Sequence, residues 1–462
     1  MGHRFDSKEI NFFRKNILKQ YDTSQRSLPW RTIAKECQDE NKRAYSVWVS
    51  EIMLQQTQVA TVIDYYNRWI KKWPTVEDLA EATIEEVNTQ WSGLGYYSRG
   101  KRLHQGAQEV MNKLNGQIPR TSTALQKKLA GVGPYTAGAI ASIAYNEPCG
   151  VVDGNVIRVL CRLCSIGANS NSNQVQELLW ELAKEVVDPD RPGDFNQALM
   201  EFGALTCTPK APKCGDCPLK DICKAYKMTQ AKEKKRKVED KQIYTCPDIE
   251  DAGACCYCLP SSVPWEPSLG VMNYPRKEKK KPPASEQFAT IILKQNGKYL
   301  LTKRPETGLL AGLWEFPSDQ IQPKTTENNT NSETSISEAQ LRRKCRVYLK
   351  TTFCVEIAAK DLIPYGQVVH VFSHRRHTYH VFKADFKKKD VGIDESEKMR
   401  WIAKDGFDDI GITTAIRKIL ALSEGSTQFK GKRPNTGNND AVKRTLTPNK
   451  KQKRMDEFFN KK

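Results

Sequence analysis

The stretch CTPKAPKCGDCPLKDIC, residues 207–223, constrains this chain more than any other part of it, because its four cysteines are spaced C-x6-C-x2-C-x5-C. The two-residue gap lets paired thiolates face one metal centre, and four thiolates suit either zinc or an iron–sulfur cluster. The chain holds 14 cysteines in all, enough for a disulfide framework. Against that use, the N-terminal GHRFDSKEINFFRK has acids and no long apolar run, so it resembles neither a secretion signal nor an acid-poor transit segment. Tight cysteine clusters without such a signal favour metal ligation or reduced thiols, and a soluble intracellular chain is expected. Lys210 and Lys213 sit in the first interval, where they could project toward phosphate. A looser group follows at Cys246, Cys255, Cys256 and Cys258; Cys255 and Cys258 form a plausible metal pair, with Cys256 an equal alternative partner.

At 462 residues, two or three domains are expected. From Ser46 to Cys223 the apolar spacing is helical: SVWVSEIMLQQTQVATVIDYYNRWIKKW reads as one long helix or two abutting ones, and further helical segments are broken by Gly and Pro. The period switches near Gln287 to strands, at FATIILK, YLLTKR, LKTTFCVEIA, VVHVFSH and TYHVFKADF, with helices at ISEAQLRRKC and TTAIRKILALS. The expected organisation is a helical region over 1–223, a connector over 224–287, an α+β domain over 288–423 and a disordered basic tail over 424–462. No run of 18 apolar residues is present, so no membrane span is expected. A formal charge of +19 favours a polyanionic partner, although basic tails alone can produce such a surplus.

Within the helical region, LAGVGPYTA (129–137) joins TALQKKL to TAGAIASIAY, which reads as helix, glycine turn, helix. Gly131 and Gly133 permit a close turn and leave amides at the start of the second helix, an arrangement that can hold phosphate or serve simply as a structural hairpin. Two acids stand out. Glu51 lies among apolar helical positions and should hold its proton more readily there. Asp153 precedes a helical run and could cap it, which favours the ionised form. Acids with opposite preferences can divide acid/base and charge-stabilising work.

The stretches LPWR (28–31), VSEIMLQQTQV (49–59), WSGLGYYSR (91–99), LAGVGPYTAGAIASIAY, VVDGNVIRVL, FNQALMEFGALTC (195–207) and the cysteine loop resemble, in this order, the helix-hairpin-helix DNA glycosylase superfamily. Within it they are most similar to the MutY family of adenine DNA glycosylases that act opposite 8-oxoguanine, over roughly residues 10–420. The resemblance implies an all-α helix-hairpin-helix region with an iron–sulfur loop, followed by an α+β Nudix-like domain. It implies a [4Fe–4S] cluster on Cys207, Cys214, Cys217 and Cys223, and an alkali ion at the hairpin. By the same resemblance Glu51 donates a proton to the base and later activates water, while Asp153 stabilises C1′ of the sugar. Tyr135 stands where bifunctional relatives carry a lysine, and a phenol cannot form a Schiff base, so the implied product is an abasic site without strand cleavage. Tyr135 and Asn155 position the acids and sugar; Trp30, Arg31 and Gln197 contribute to the adenine pocket; Gln56 and Tyr96 enter the duplex.

The second domain carries GLLAGLWEFP (308–317), which resembles a Nudix fold, but SISEAQLRRKCR replaces the acid-rich metal-binding helix, so phosphate hydrolysis is not expected. Phe372, Ser373 and His374 match the family element that inspects 8-oxoguanine. In the connector the resemblance to animal enzymes implies zinc on Cys161, Cys255 and Cys258 and contact with a ring-shaped checkpoint clamp; the fourth ligand position is displaced, with Asp248 and Glu250 near it and Cys246 slightly upstream, and Cys246 is the expected fourth ligand. In QKRMDEFF (452–459), Gln452, Met455, Phe458 and Phe459 have the spacing of a sliding-clamp peptide, and the preceding KKQKR suits nuclear import. The expected partners are thus duplex DNA containing A:8-oxoguanine or A:G and the replication clamp; the expected compartment is the nucleus, and the N-terminus does not support a mitochondrial form. The competing readings are a bifunctional glycosylase/lyase, which Tyr135 disfavours, and a noncatalytic DNA-damage scaffold, which the joint presence of Glu51 and Asp153 disfavours.

Overall fold

The structure is a computed structural model that describes residues 2–236, 255–260, 263, 265–277, 282–321, 336–372, 374–385 and 397–423. Helix α1 (Ser7–Ser24) opens with a capping box in which Asp6 and Glu9 each accept from the other's backbone amide. Then come α2 (Pro29–Glu36), α3 (Glu40–Leu54), α4 (Val59–Lys72), α5 (Val76–Glu81), α6 (Ile84–Trp91) and α7 (Ser98–Lys113). The long helical stretch around SVWVSEIMLQQTQV is therefore two helices. The chain breaks at Gln56, which takes the left-handed conformation with φ 56°. Helices α8 (Ser122–Lys128), α9 (Pro134–Tyr145), α10 (Gly154–Leu163), α11 (Asn173–Val186), α12 (Pro192–Leu205) and α13 (Lys224–Arg236) complete the helical region. Helix α13 begins the stretch read as a connector and is held there by Ala225, which is fully buried.

These helices enclose two cores. One gathers α2 to α9 around Tyr45, Trp48, Trp69 and Trp91; the other joins α1 to α10, α11, α12 and the start of α13 around Phe13, Val159 and Phe195. Burying each such side chain contributes about 1.5–3 kcal/mol or more. Their polar edges are also satisfied: Trp69 Nε1 donates to Tyr45 Oη at 3.1 Å, and that hydroxyl donates to the Trp73 carbonyl at 3.0 Å. Helix α3 belongs to the first core and α10 to the second, so side chains from their facing ends meet at the junction of two packed lobes.

The remaining elements are β1 (Ala284–Gln295), β2 (Lys298–Lys303), β3 (Trp314–Glu315), β4 (Ser318–Ile321), α14 (Glu338–Phe353), β5 (Ile363–Val371), β6 (Arg375–Asp385), β7 (Met399–Ile402) and α15 (Thr414–Ser423). The sheet runs β3-β2-β1-β6-β5, with β4 paired to β1 and β7 to β2; β1 and β6 are parallel. One expected strand is wrong. LKTTFCVEIA (349–358) begins inside α14, because Leu341, Cys345, Leu349 and Phe353 recur every four residues and all are buried; the β-branched run yields to that helical stripe. The sheet domain packs directly on α6 and α7. Leu313 joins the first helical core, Tyr97 Oη donates to the Ile412 carbonyl at 3.0 Å, and Thr89 Oγ1 to the Asp409 carbonyl at 3.2 Å.

Candidate active site

Glu51 lies on the last turns of α3 with only 5 % of its surface exposed. Tyr135, in the first turn of α9, donates its hydroxyl to Glu51 Oε2 at 2.6 Å. Burial pushes the Glu51 carboxyl up to about 7; the Tyr135 bond and the Arg31 charge oppose that rise, and Asp153 adds to it. A carboxylic acid poised there can both give and take a proton near neutral pH.

Asp153 caps α10. Its Oδ1 accepts from the amides of Asn155 (2.9 Å) and Val156 (2.7 Å), and its Oδ2 from Asn155 Nδ2 (2.8 Å). The sequence suggested that the cap would favour the ionised form of this group. Instead, burial raises Asp153 as well, while the three donors and Arg158 pull the other way. The two acids differ in their donors: three are aimed at Asp153 and one at Glu51, so the surroundings of Asp153 offer its carboxylate the more hydrogen bonds. Asn155 is itself fixed, its Oδ1 accepting from Arg158 Nη2 at 2.9 Å while Arg158 Nε donates to the Cys207 carbonyl at 2.8 Å. Gly203 on α12 is required here, because a Cβ would lie 2.7 Å from that of Asn155.

Arg31 adjoins the acids. Its Nε donates to Gln197 Oε1 at 3.0 Å, and its Nη1 lies 2.6 Å from Glu201 Oε2. Glu201 escaped the sequence reading although it stands four residues after Gln197, on the same face of α12. It is buried, accepts from the Arg26 amide at 2.9 Å, and fixes the guanidinium that orients Gln197. Trp30 is buried against Tyr66, ring centroids 5.3 Å apart.

Two exposed residues expected to enter a duplex share an unusual backbone: Gln56 and Tyr96 have φ of 56° and 50°, a conformation that non-glycine residues adopt at some cost. One buried side chain joins their turns. Arg99 Nη1 donates to the carbonyls of Ile52 (2.8 Å), Met53 (2.9 Å) and Gln55 (2.5 Å), while Nη2 donates to Thr57 Oγ1 (3.3 Å) and the Gly95 carbonyl (3.0 Å). Arg99 was visible in WSGLGYYSR, but nothing local marks its reach back to α3. The hairpin forms as expected: α8, the turn at Leu129–Gly133 and α9. Gly131 has φ 75°, and a Cβ there would lie 2.8 Å from Arg102. Gly131 and Gly133 are both exposed, beside the start of α9.

Cys207, Cys214, Cys217 and Cys223 line one cavity, together with Arg162, which donates to Cys207 Sγ at 3.3 Å. The Leu219 amide donates to Cys217 Sγ at 3.4 Å. Four sulfurs with N–H donors around a shared space fit an iron–sulfur group. The second metal group differs from the expected one. Cys255 and Cys258 come together with His3, the three ligand atoms lying within 4.8 Å of one another. His3 Nε2 is 3.3 Å from Cys258 Sγ, and Nδ1 is 3.0 Å from the Cys164 carbonyl, which fixes the ring. Cys161 is not part of this group, since it faces inward from α10 and is fully buried in the second core; Cys246 lies outside the described residues. No spacing rule could link His3 to cysteines some 250 positions away.

In the sheet domain Phe372 is half-buried in the turn between β5 and β6 and His374 is exposed; Ser373 lies outside the described residues, as do Gln452, Met455, Phe458 and Phe459. Among the described residues no helix is long and apolar enough to cross a membrane.

A glycine-turn hairpin, the buried Glu51 and the half-buried Asp153 at the junction of two helical lobes, and a four-cysteine loop fit a base-excision scaffold. Residues 49–185 match the HhH-GPD superfamily of base excision DNA repair proteins, 207–223 the iron-sulfur binding domain of endonuclease III, and 288–422 the NUDIX domain. Relatives narrow this class. The chain is 46% identical over 432 residues to the adenine DNA glycosylase of Mus musculus, covering 92% of this chain and 80% of that one. Against that of Homo sapiens it is 46% identical over 428 residues (91% and 75%), and against that of Schizosaccharomyces pombe 38% over 436 (89% of each). The chain belongs to the adenine DNA glycosylase family.

Proposed function

We propose that this chain hydrolyses the N-glycosidic bond of adenine mispaired with 8-oxoguanine, and of adenine opposite guanine, leaving an abasic site and an intact strand. The observation that carries the reading is the Tyr135–Glu51 hydrogen bond beside Asp153. Protonated Glu51 gives its proton to adenine, at N7. The N9–C1′ bond then breaks, its electron pair leaving with the base, and the Asp153 carboxylate stabilises the positive charge on C1′. Water adds to C1′ and returns a proton to Glu51, which restores the acid. The phenol of Tyr135 offers no amine to C1′, so the sugar ring is not opened by a Schiff base. Arg31 and Gln197 supply a fixed guanidinium and amide against the base, with Trp30 behind them. Gln56 and Tyr96 fill the space vacated by an extruded nucleotide, Gly131 and Gly133 present backbone to its phosphates, where an alkali ion held by the hairpin would add positive charge, and Phe372, Ser373 and His374 read the opposite base.

The four loop cysteines would hold a [4Fe–4S] cluster that orders Lys210 and Lys213 toward DNA. His3, Cys255 and Cys258 would hold zinc, a soft donor set that staples the connector to the N-terminus. The spacing of Gln452, Met455, Phe458 and Phe459 supports docking on the replication clamp, the connector supports contact with a checkpoint clamp, and the basic tail supports a nuclear location. The deciding experiment measures adenine release from duplexes pairing A with 8-oxoguanine, G, C or T, followed by a separate test for strand breaks. Release confined to the first two, abolished in Glu51→Gln and without breaks, is expected; strand cleavage by the chain itself would overturn the monofunctional reading.

A further inference from the structure

Beneath the turn that carries Phe372 lies a group of buried rings and charges for which the catalytic reading has no use. Strands β5 and β6 pair His370 with His377, and the Phe372 amide donates to the Arg375 carbonyl at 2.8 Å, closing the turn. The Ala284 amide donates to the His374 carbonyl at 3.1 Å, which docks the turn on β1. The Phe372 ring stands edge-on to His370, centroids 4.4 Å apart, and to His377, 4.8 Å apart. His377 is 3 % exposed and held from three sides. Its Nε2 lies 3.0 Å from Glu286 Oε2, its Nδ1 lies 3.1 Å from Tyr379 Oη, and its ring lies 4.7 Å from that of Phe288. Glu286 on β1 in turn takes Arg375 Nη1 at 2.5 Å, from the first residue after the turn.

We propose that His377 is a positioning residue for the opposite-base reader, bracing the Phe372 ring and tying its turn through Glu286 and Arg375 to β1. The inference rests on the reading of Phe372 as part of that reader. A neutral imidazole suits the place: Nδ1 can accept from the Tyr379 hydroxyl while Nε2 faces Glu286, and burial together with Arg304 and Arg375 keeps it below its ordinary range despite Glu286. An aliphatic side chain of similar size would fill the space and leave Glu286 with Arg375 alone. A reading ring gains selectivity from being held where a damaged base meets it and an undamaged one does not, so a brace that touches only the ring changes the ratio of two rates.

The test uses the full chain and single-turnover adenine release opposite 8-oxoguanine and opposite guanine, in Phe372→Ala, His377→Ala, His377→Phe and the Phe372→Ala/His377→Ala pair. Phe372→Ala should collapse the selectivity ratio. His377→Ala should lower it by about three- to tenfold, the span that aromatic pair energies supply, while the rate opposite guanine holds within about twofold. His377→Phe restores the ring and should recover part of the loss, and His377→Ala should add nothing once Phe372 is gone. A reduced ratio in Phe372→Ala with a wild-type ratio in both His377 variants would overturn the brace. Equal losses on both duplexes, or additive losses in the pair, would reduce His377 to a packing residue. An unchanged ratio in Phe372→Ala removes the reader itself, and the brace with it.

Discussion

Replacing Tyr135 with Phe isolates one term of the catalytic chemistry. The ring stays, and the only group lost is the hydroxyl that donates to Glu51 Oε2 at 2.6 Å. That bond favours the carboxylate, so its loss must raise the Glu51 pKa above its present value of about 7. A hydrogen bond to a charged group contributes about 1.5–3 kcal/mol, and each pKa unit is about 1.4 kcal/mol, so a rise of roughly one to two units follows. With Glu51 as the proposed acid, activity is lost as pH climbs through its pKa. With a pKa near 7 the protonated fraction falls about fivefold between pH 7 and pH 8; raised by about one unit, it falls less than about twofold over the same interval. The assay is single-turnover adenine release from A:8-oxoguanine between pH 6 and pH 9, with chain in excess. Both proteins are measured on the same duplex, so the field of the DNA phosphates is common to both. The maximum rate of Tyr135→Phe can drop through poorer positioning of Glu51, but the position of the alkaline limb does not depend on that maximum. A limb that stays in place, or moves to lower pH, would refute the assignment of Glu51 as the acid held in check by Tyr135.

Arg99→Lys keeps the charge but cannot reach all five acceptors of the fork; leaving two or more buried carbonyls unpaired, at about 1–3 kcal/mol each, should lower the stability measured by denaturant unfolding by about 2–4 kcal/mol. An unchanged denaturant midpoint would show that the two turns hold their left-handed residues without it. Metal analysis of the purified chain should find about four irons and about one zinc. His3→Ala should lose the zinc and keep the iron; full zinc in that variant would return the site to cysteines alone.

What could be read from the sequence was what is local in it. The cysteine run, the glycine turn and the Asp153 cap each need only neighbours within a few positions, and each forms where the spacing placed it. The fork of Arg99, the His3 contact with Cys258 and the pairing of His377 with Glu286 span from about 40 to over 250 residues, so spacing carries no trace of them. The misread strand at 349–358 shows the opposite failure. There a local preference for β structure was clear, and burial of one helical stripe outweighed it. Glu201 falls between these cases, legible from its four-residue offset to Gln197 but uninformative until Arg31 and Arg26 were seen to converge on it.

The turn at residues 92–97 shows why the two parts of the chain cannot be understood separately. Tyr96, 47 % exposed, points out of the helical region, while the next residue, Tyr97, is buried and donates to the Ile412 carbonyl of the sheet domain. Ser92 Oγ reaches the same carbonyl at 3.4 Å, and Arg99 ties the turn back to the end of α3, three residues beyond Glu51. A residue proposed to enter the duplex thus sits on a segment clamped at one side by the sheet domain and at the other by the helix that carries the acid. Packed side chains and hydrogen bonds therefore run from Ile412 of the sheet domain, through the turn of Tyr96 and Tyr97 and the Arg99 guanidinium, to the end of the helix that carries Glu51.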